Sequence, residues 1–106
     1  MSDVTLIRFS EKSPIISLRD YLRNSDLLDN VKKGDFAGVK LHVGEKGNIT
    51  HIRPQIVKVI IDELKERGAK PFIFDCNTLY RVNRWNAVDH YTTAYENGFT
   101  FGTINA

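Results

Sequence analysis

Two short apolar runs, FAGVKLHV (36–43) and PFIFD (71–75), flank a stretch whose apolar residues recur with the period of a helix. Ile56, Val57, Ile60, Ile61 and Leu64 fall at i, i+3 and i+4 spacings and mark one buried face. Pro54 suits the first turn of that helix, where a missing N–H removes no hydrogen bond, and Gly68 supplies its stop. A strand, a helix and a second strand in this order form a right-handed crossover and place the strands parallel. That unit commits the chain to the α/β class.

The flanking segments extend the alternation. VTLIRF (4–9) reads as an earlier strand. Ser17 with Asp20 resembles a capping box, and Ile16 with Tyr21 a hydrophobic staple, for a helix through Leu18, Tyr21 and Leu22. Ser25 restarts it as a short turn through Leu27, Leu28 and Val31, and KKGD (32–35) turns into the second strand. A third helix is expected over 87–96, capped by Asn86 and closed by Asn97-Gly98. The expected architecture is an open, mostly parallel, three-layer α/β sheet in the order β-α-β-α-β-α, forming a single domain over residues 1–106. FTFGTINA (99–106) reads as the approach to a fourth strand. A sheet this thin has edges to cover, so the expectation is a missing C-terminal domain of a longer protein or a homo-oligomer.

Composition narrows the classes of function. The net charge of +2 is too small for a nucleic-acid binder that works by bulk electrostatics. A single cysteine, Cys76, excludes an internal disulfide and a self-contained four-cysteine zinc or iron–sulfur centre. Neither a signal-like N-terminal segment nor an apolar run of about 20 residues is present, so no membrane partner and a cytoplasmic setting are expected.

The chemistry collects in two segments. In open α/β sheets ligands bind beyond the carboxyl ends of the strands, where residues 40–53 and 75–90 leave the second and third strands. These segments hold all three histidines, five of the fifteen Lys/Arg and three of the thirteen Asp/Glu, so the whole excess of +2 lies in them. Lys40 and His42 share one strand face, which is either the wet face of an edge strand or a reach toward the site. Gly44, Glu45, Lys46, Gly47 and Asn48 could expose successive N–H groups as an anion nest, although they match neither phosphate-loop pattern. Arg53 stands where the second helix's dipole favours anions, or is a solvated surface arginine. Asp75 ends a strand, Asn77, Thr78 and Tyr80 offer hydrogen bonds, and Arg81 and Arg84 could clamp a carboxylate or phosphate. His90 faces either the site or solvent. His42, His51, His90, Glu45 and Asp75 are suitable metal ligands without a ligand spacing, so no metal site is assigned. Asp75 disfavours a thiolate at Cys76, which argues against a cysteine nucleophile.

The two segments carry long mixed-polar motifs. H-x-G-E-K-G-N-x-x-x-I-R-P at 42–54 and D-x-N-T-L-Y…R-x-N-A-V-D-H…A-x-x-N-G-F at 75–99 resemble the family called domain of unknown function 362, whose members are described as iron–sulfur-associated. The resemblance implies a longer α/β protein, with redox chemistry and a [4Fe–4S]-binding segment in full-length relatives. Those cysteine clusters are missing here, so no cofactor is expected on this chain. The motif positions are His42, Gly44, Glu45, Lys46, Gly47, Asn48, Arg53, Pro54, Asp75, Asn77, Thr78, Tyr80, Arg84, Asn86 and His90. Cys76 and Val82 depart from the threonine and glycine that the family pattern implies.

Two readings follow. In the first, the domain contributes two polar loops to an enzyme-like site for a small anionic ligand. His42 is the acid/base candidate and Asp75 the orienting carboxylate. Lys40, Glu45, Lys46, Gly47, Asn48, Arg53, Asn77, Thr78, Tyr80, Arg84 and His90 are the ligand-binding candidates. In the second, the same loops belong to a non-catalytic binding or assembly module that docks a partner chain or a missing domain.

Overall fold

The computed structural model describes residues 2–8 and 12–106. Its elements in chain order are α1 (Pro14–Asn24), β1 (Phe36–Lys40), α2 (Pro54–Glu66), β2 (Lys70–Phe74), α3 (Ala87–Glu96) and α4 (Phe101–Ile104). The crossover unit forms as its periodicity requires: β1 and β2 pair in parallel, with Phe36 opposite Lys70 and Lys40 opposite Phe74. Pro54 occupies the first turn of α2, and Gly68, at φ +80°, follows its C-cap. Asn86 caps α3 by accepting from the Asp89 N–H, and Asn97 is its C-cap, as the sequence predicts.

The core lies between the sheet and α2. Val43, Val57, Ile61, Phe99 and Ile104 are buried together, with Val39, Leu41 and Ile73 packed against them. Residues alternate along both strands, so Ala37, Val39 and Ile73 turn inward while Phe36, Phe72 and Phe74 remain exposed. Gly38 lies on that bare face beneath the phenyl rings: a Cβ there would stand 3.0 Å from the Phe74 ring. Arg23 of α1 donates from Nε to both oxygens of buried Glu63, at 2.9 and 3.0 Å, tying α1 to α2.

Several expectations are corrected. The sheet has two strands among the described residues, not three. Residues 4–8 carry no strand, and Phe9 lies outside the described residues. A strand is defined by its pairing; Val4 and Leu6 are exposed, and Thr5 instead accepts a hydrogen bond from the Tyr21 hydroxyl of α1. With one face of the sheet bare, a three-layer arrangement is not seen. α1 starts earlier than the Ser17 box suggests, because Ser13 caps it and Pro14 takes its first position. Ser25 ends that helix instead of restarting one, and successive turns follow it. FTFGTINA does not extend: Thr100 and Thr103 form a reciprocal capping box that closes the one-turn α4.

The hydrogen bonds from Lys70 N–H to Asp35 and from Leu41 N–H to Phe74 show which way the ladder faces. Lys70, Phe72 and Phe74 direct their backbone groups to β1, so those of Pro71 and Ile73 point to the outer edge.

Candidate functional site

β1 and β2 end side by side, and the connections leaving them converge. Lys40 Nζ donates to Asp75 Oδ1 at 3.0 Å, joining the strand ends. Asp75 Oδ1 also accepts from the Cys76 N–H. The second connection folds back on itself: the Thr78 N–H donates to the Arg84 carbonyl, and its hydroxyl to the Tyr80 carbonyl. Thr93 of α3 donates to the Asn83 carbonyl, which fixes the end of the same loop. These bonds deliver Arg84 into the centre with its side chain only 4% exposed.

Arg84 is the hub. Its Nε and Nη2 both donate to Glu45 Oε1, at 3.0 and 2.6 Å, while Nη1 donates to Asp75 Oδ2 at 3.1 Å. Nη2 also lies 2.8 Å from His42 Nε2. The first loop is pinned from α3, where Asn97 Nδ2 donates to the carbonyls of Val43 and Glu45. Gly44, at φ +85°, makes room for this: a Cβ there would lie 2.8 Å from Asn97 Nδ2 and from His51 Cβ.

The two imidazoles are held differently. The Gly44 N–H donates to His42 Nδ1 at 2.9 Å, so the neutral ring carries its proton on Nε2, facing the guanidinium. Arginine has no acceptor, and two donors therefore confront each other at that junction. His90 Nδ1 lies 2.8 Å from Asn77 Oδ1, which accepts, so Nδ1 carries a proton. Its buried Nε2 makes no hydrogen bond and lies 3.4 Å from Asp75 Oδ2.

Charges in the cluster are matched in number, Lys40 and Arg84 against Glu45 and Asp75. The hydrogen bond from Arg84 is the main force holding the Glu45 carboxyl below the usual carboxylate range, against some desolvation. For Asp75 burial is the largest single influence and acts upward. The Lys40 hydrogen bond and charge, with the Cys76 and Val43 N–H groups, outweigh it and leave the pKa lowered. The bond to Glu45 raises the Arg84 pKa against its burial, so the guanidinium stays charged.

Of the residues singled out in the sequence, Lys40, His42, Glu45, Asp75, Asn77, Arg84 and His90 meet here. Others do not. Lys46 turns to Glu96 at 3.2 Å. Gly47 and Asn48 line a separate cleft with His51, Pro54 and Gln55, at the start of α2. Arg53 is exposed at the N-cap of α2 and makes no side-chain cap bond. Thr78 braces the loop, Tyr80 is exposed, and Arg81 stacks over Trp85 at 5.2 Å instead of clamping with Arg84. The anion nest is partly spent, because Gly44 N–H serves His42 and Asn48 N–H serves the Glu45 carbonyl. Asn97 was legible only as a helix stop; its grip on the first loop follows from the tertiary approach of α3.

Beside the cluster lies a cleft of about 490 Å3. Asp75, Asn77 and His90 stand at its polar end, and Phe72, Phe74, Tyr91 and Phe101 are among its walls. A [4Fe–4S] cluster takes cysteine thiolates, and the one cysteine here is exposed. With one cysteine in the sequence, the thiolates do not fit such a cluster, and the described residues hold no group of three or more His, Cys, Asp or Glu placed for a metal ion. No described helix is long and apolar enough to cross a membrane.

No curated protein and no solved structure gives a match to the chain. Residues 38–105, which contain both converging loops, match the family described as Domain of unknown function (DUF362), and the chain belongs to that family.

Proposed function

We propose that the cluster around Arg84 is an enzyme-like site that receives a small anionic ligand. One observation carries this reading: six chemistry-bearing side chains, Lys40, His42, Glu45, Asp75, Arg84 and His90, meet where two parallel strands end. A structural ion pair needs two of them. Arg84 and Lys40 supply charge for the anion. His42, oriented by Gly44, presents its Nε2–H as the group that gives a proton. Asp75 orients the two cations.

The test is a screen of small carboxylates and phosphates by 15N–1H NMR on the labelled chain. Binding that perturbs His42, Asp75 and Arg84 together supports the site. No response, or a response confined to the cleft at the start of α2, refutes it. Where a ligand is turned over, His42→Ala should abolish turnover while weakening affinity by no more than about tenfold, the worth of the one hydrogen bond its Nε2–H can give.

The assembly reading has its own support in the bare sheet face, where Phe36 is 77% exposed beside Phe72 and Phe74. A chain acting only in assembly would ignore the small anions and change its sedimentation with concentration. His42→Ala would then alter association instead of turnover.

A further inference from the structure

We propose that the ligand is a carboxylate, and that Glu45 occupies its place until it arrives. This rests on the anion site proposed above and names what that site selects. Glu45 is the one acidic partner of Arg84 open to solvent, its side chain 36% exposed against 8% for Asp75. It satisfies the guanidinium poorly: a single oxygen, Oε1, takes both the Nε and Nη2 hydrogens. That edge of a guanidinium offers two parallel N–H bonds and fits a planar carboxylate with one oxygen on each. The junction with His42 adds a third donor that lacks an acceptor, since Nε2–H faces Nη2–H at 2.8 Å. A carboxylate in Glu45's place pairs with the fork and reaches this third donor.

The loop permits the exchange. Asn97 holds the Val43 and Glu45 carbonyls, so the backbone stays while the Glu45 side chain turns outward. Gly47, at φ +78°, lies in open space beyond it. Arg84 keeps Asp75 throughout, at 3.1 Å. With Glu45 withdrawn, Lys40, Arg84 and Asp75 sum to a single positive charge, which one carboxylate neutralises.

The experiment follows the Arg84 Nε–H signal of the 15N-labelled chain while sodium acetate replaces sodium chloride at constant ionic strength. Glu45→Gln removes the competing charge. Glu45→Asp keeps the charge but draws it back by one methylene, and it carries the test if the first variant does not fold. Both should bind acetate about tenfold more tightly than the unaltered chain, the worth of one charge-assisted hydrogen bond. Equal affinity in all three proteins overturns the exchange. If Glu45→Gln alone tightens binding, the effect is one of net charge, and occupancy by Glu45 is overturned. Inorganic phosphate is titrated in parallel. If phosphate gains from the variants and acetate does not, the carboxylate class is wrong although the anion site stands. If neither anion moves the Arg84 signal in any of the proteins, the site itself falls and the exchange with it.

Discussion

Replacing Arg84 by methionine keeps most of the aliphatic stem and removes the charge that the two loops share. Three side-chain hydrogen bonds to carboxylates disappear, two to Glu45 and one to Asp75. The consequences for the two carboxylates differ. Glu45 is open enough to recover its hydration in water. Asp75 is only 8% exposed, but it retains Lys40 at 3.0 Å and the Cys76 N–H at 2.8 Å. Removing one partner of a buried pair destabilises by roughly 3–5 kcal/mol when the other is left alone, so the lower end, about 3 kcal/mol, is expected for Arg84→Met. That is a large part of the roughly 5–15 kcal/mol that holds a domain folded. Urea unfolding followed by circular dichroism measures it: with m near 1.5 kcal/mol/M, the midpoint should fall by about 2 M. Arg53→Met, at an exposed cap position, is the control and should stay within about 0.5 kcal/mol. An Arg84→Met change no larger than the control's would refute the reasoning, because burial of the ions would then offset all that their pairing contributes.

Stability should also depend on acid. Glu45 and Asp75 both have lowered pKa values in the folded state, so their contribution is complete above the ordinary carboxylate range. It is lost as pH falls from that range through the folded-state values; urea titrations repeated at descending pH should show the decline, and Arg84→Met should remove the Glu45 share while the Asp75 share, set by Lys40 and the Cys76 and Val43 amides, remains. Gly44→Ala should destabilise by about 2 kcal/mol or more, since a Cβ meets Asn97 and His51 at a positive φ, whereas Gly47→Ala, with nothing within 4 Å, should cost about 1 kcal/mol. Equal losses in thermal melts of the two would show that crowding at Gly44 is unimportant. Ile61→Ala, at a fully buried position, should lose about 3 kcal/mol in the same urea assay, and a loss below about 1 kcal/mol would mean the core closes over the gap.

What could be read from the sequence was what short-range chemistry decides. Pro54 and Gly68 act through their own backbone geometry and Asn86 through a side-chain bond to an amide three residues on, so α2 and the start of α3 were legible before any distant neighbour was known. VTLIRF was not, because strand-forming residues make a strand only where an edge accepts them. FTFGTINA misled for the converse reason: its β-branched and aromatic residues favour extension, but two threonines three apart can satisfy each other's backbone and close a turn. The meeting of the two loops at the strand ends followed from topology, which fixes where connections emerge. Partner choice did not. Lys46 and Arg84 look equally suited to an anion, yet Lys46 finds Glu96 while Arg84 is drawn inward by a loop closed through Thr78. Such competition among charges is settled by distances across the fold, and spacing along the chain carries none of them.

The outward groups of β2 bear on how this protein behaves when crowded. An unpaired strand invites a second strand to zip along it, and repeated zipping is how sheets grow into aggregates. In KPFIF the outward position next to Ile73 is Pro71, which has no N–H to offer. Templated growth along this edge therefore finds an outward amide donor within β2 only at Ile73, and Lys70 adds charge beside it. Proline here is an interruption of a hydrogen-bonding frame that the flanking phenylalanines would otherwise make adhesive.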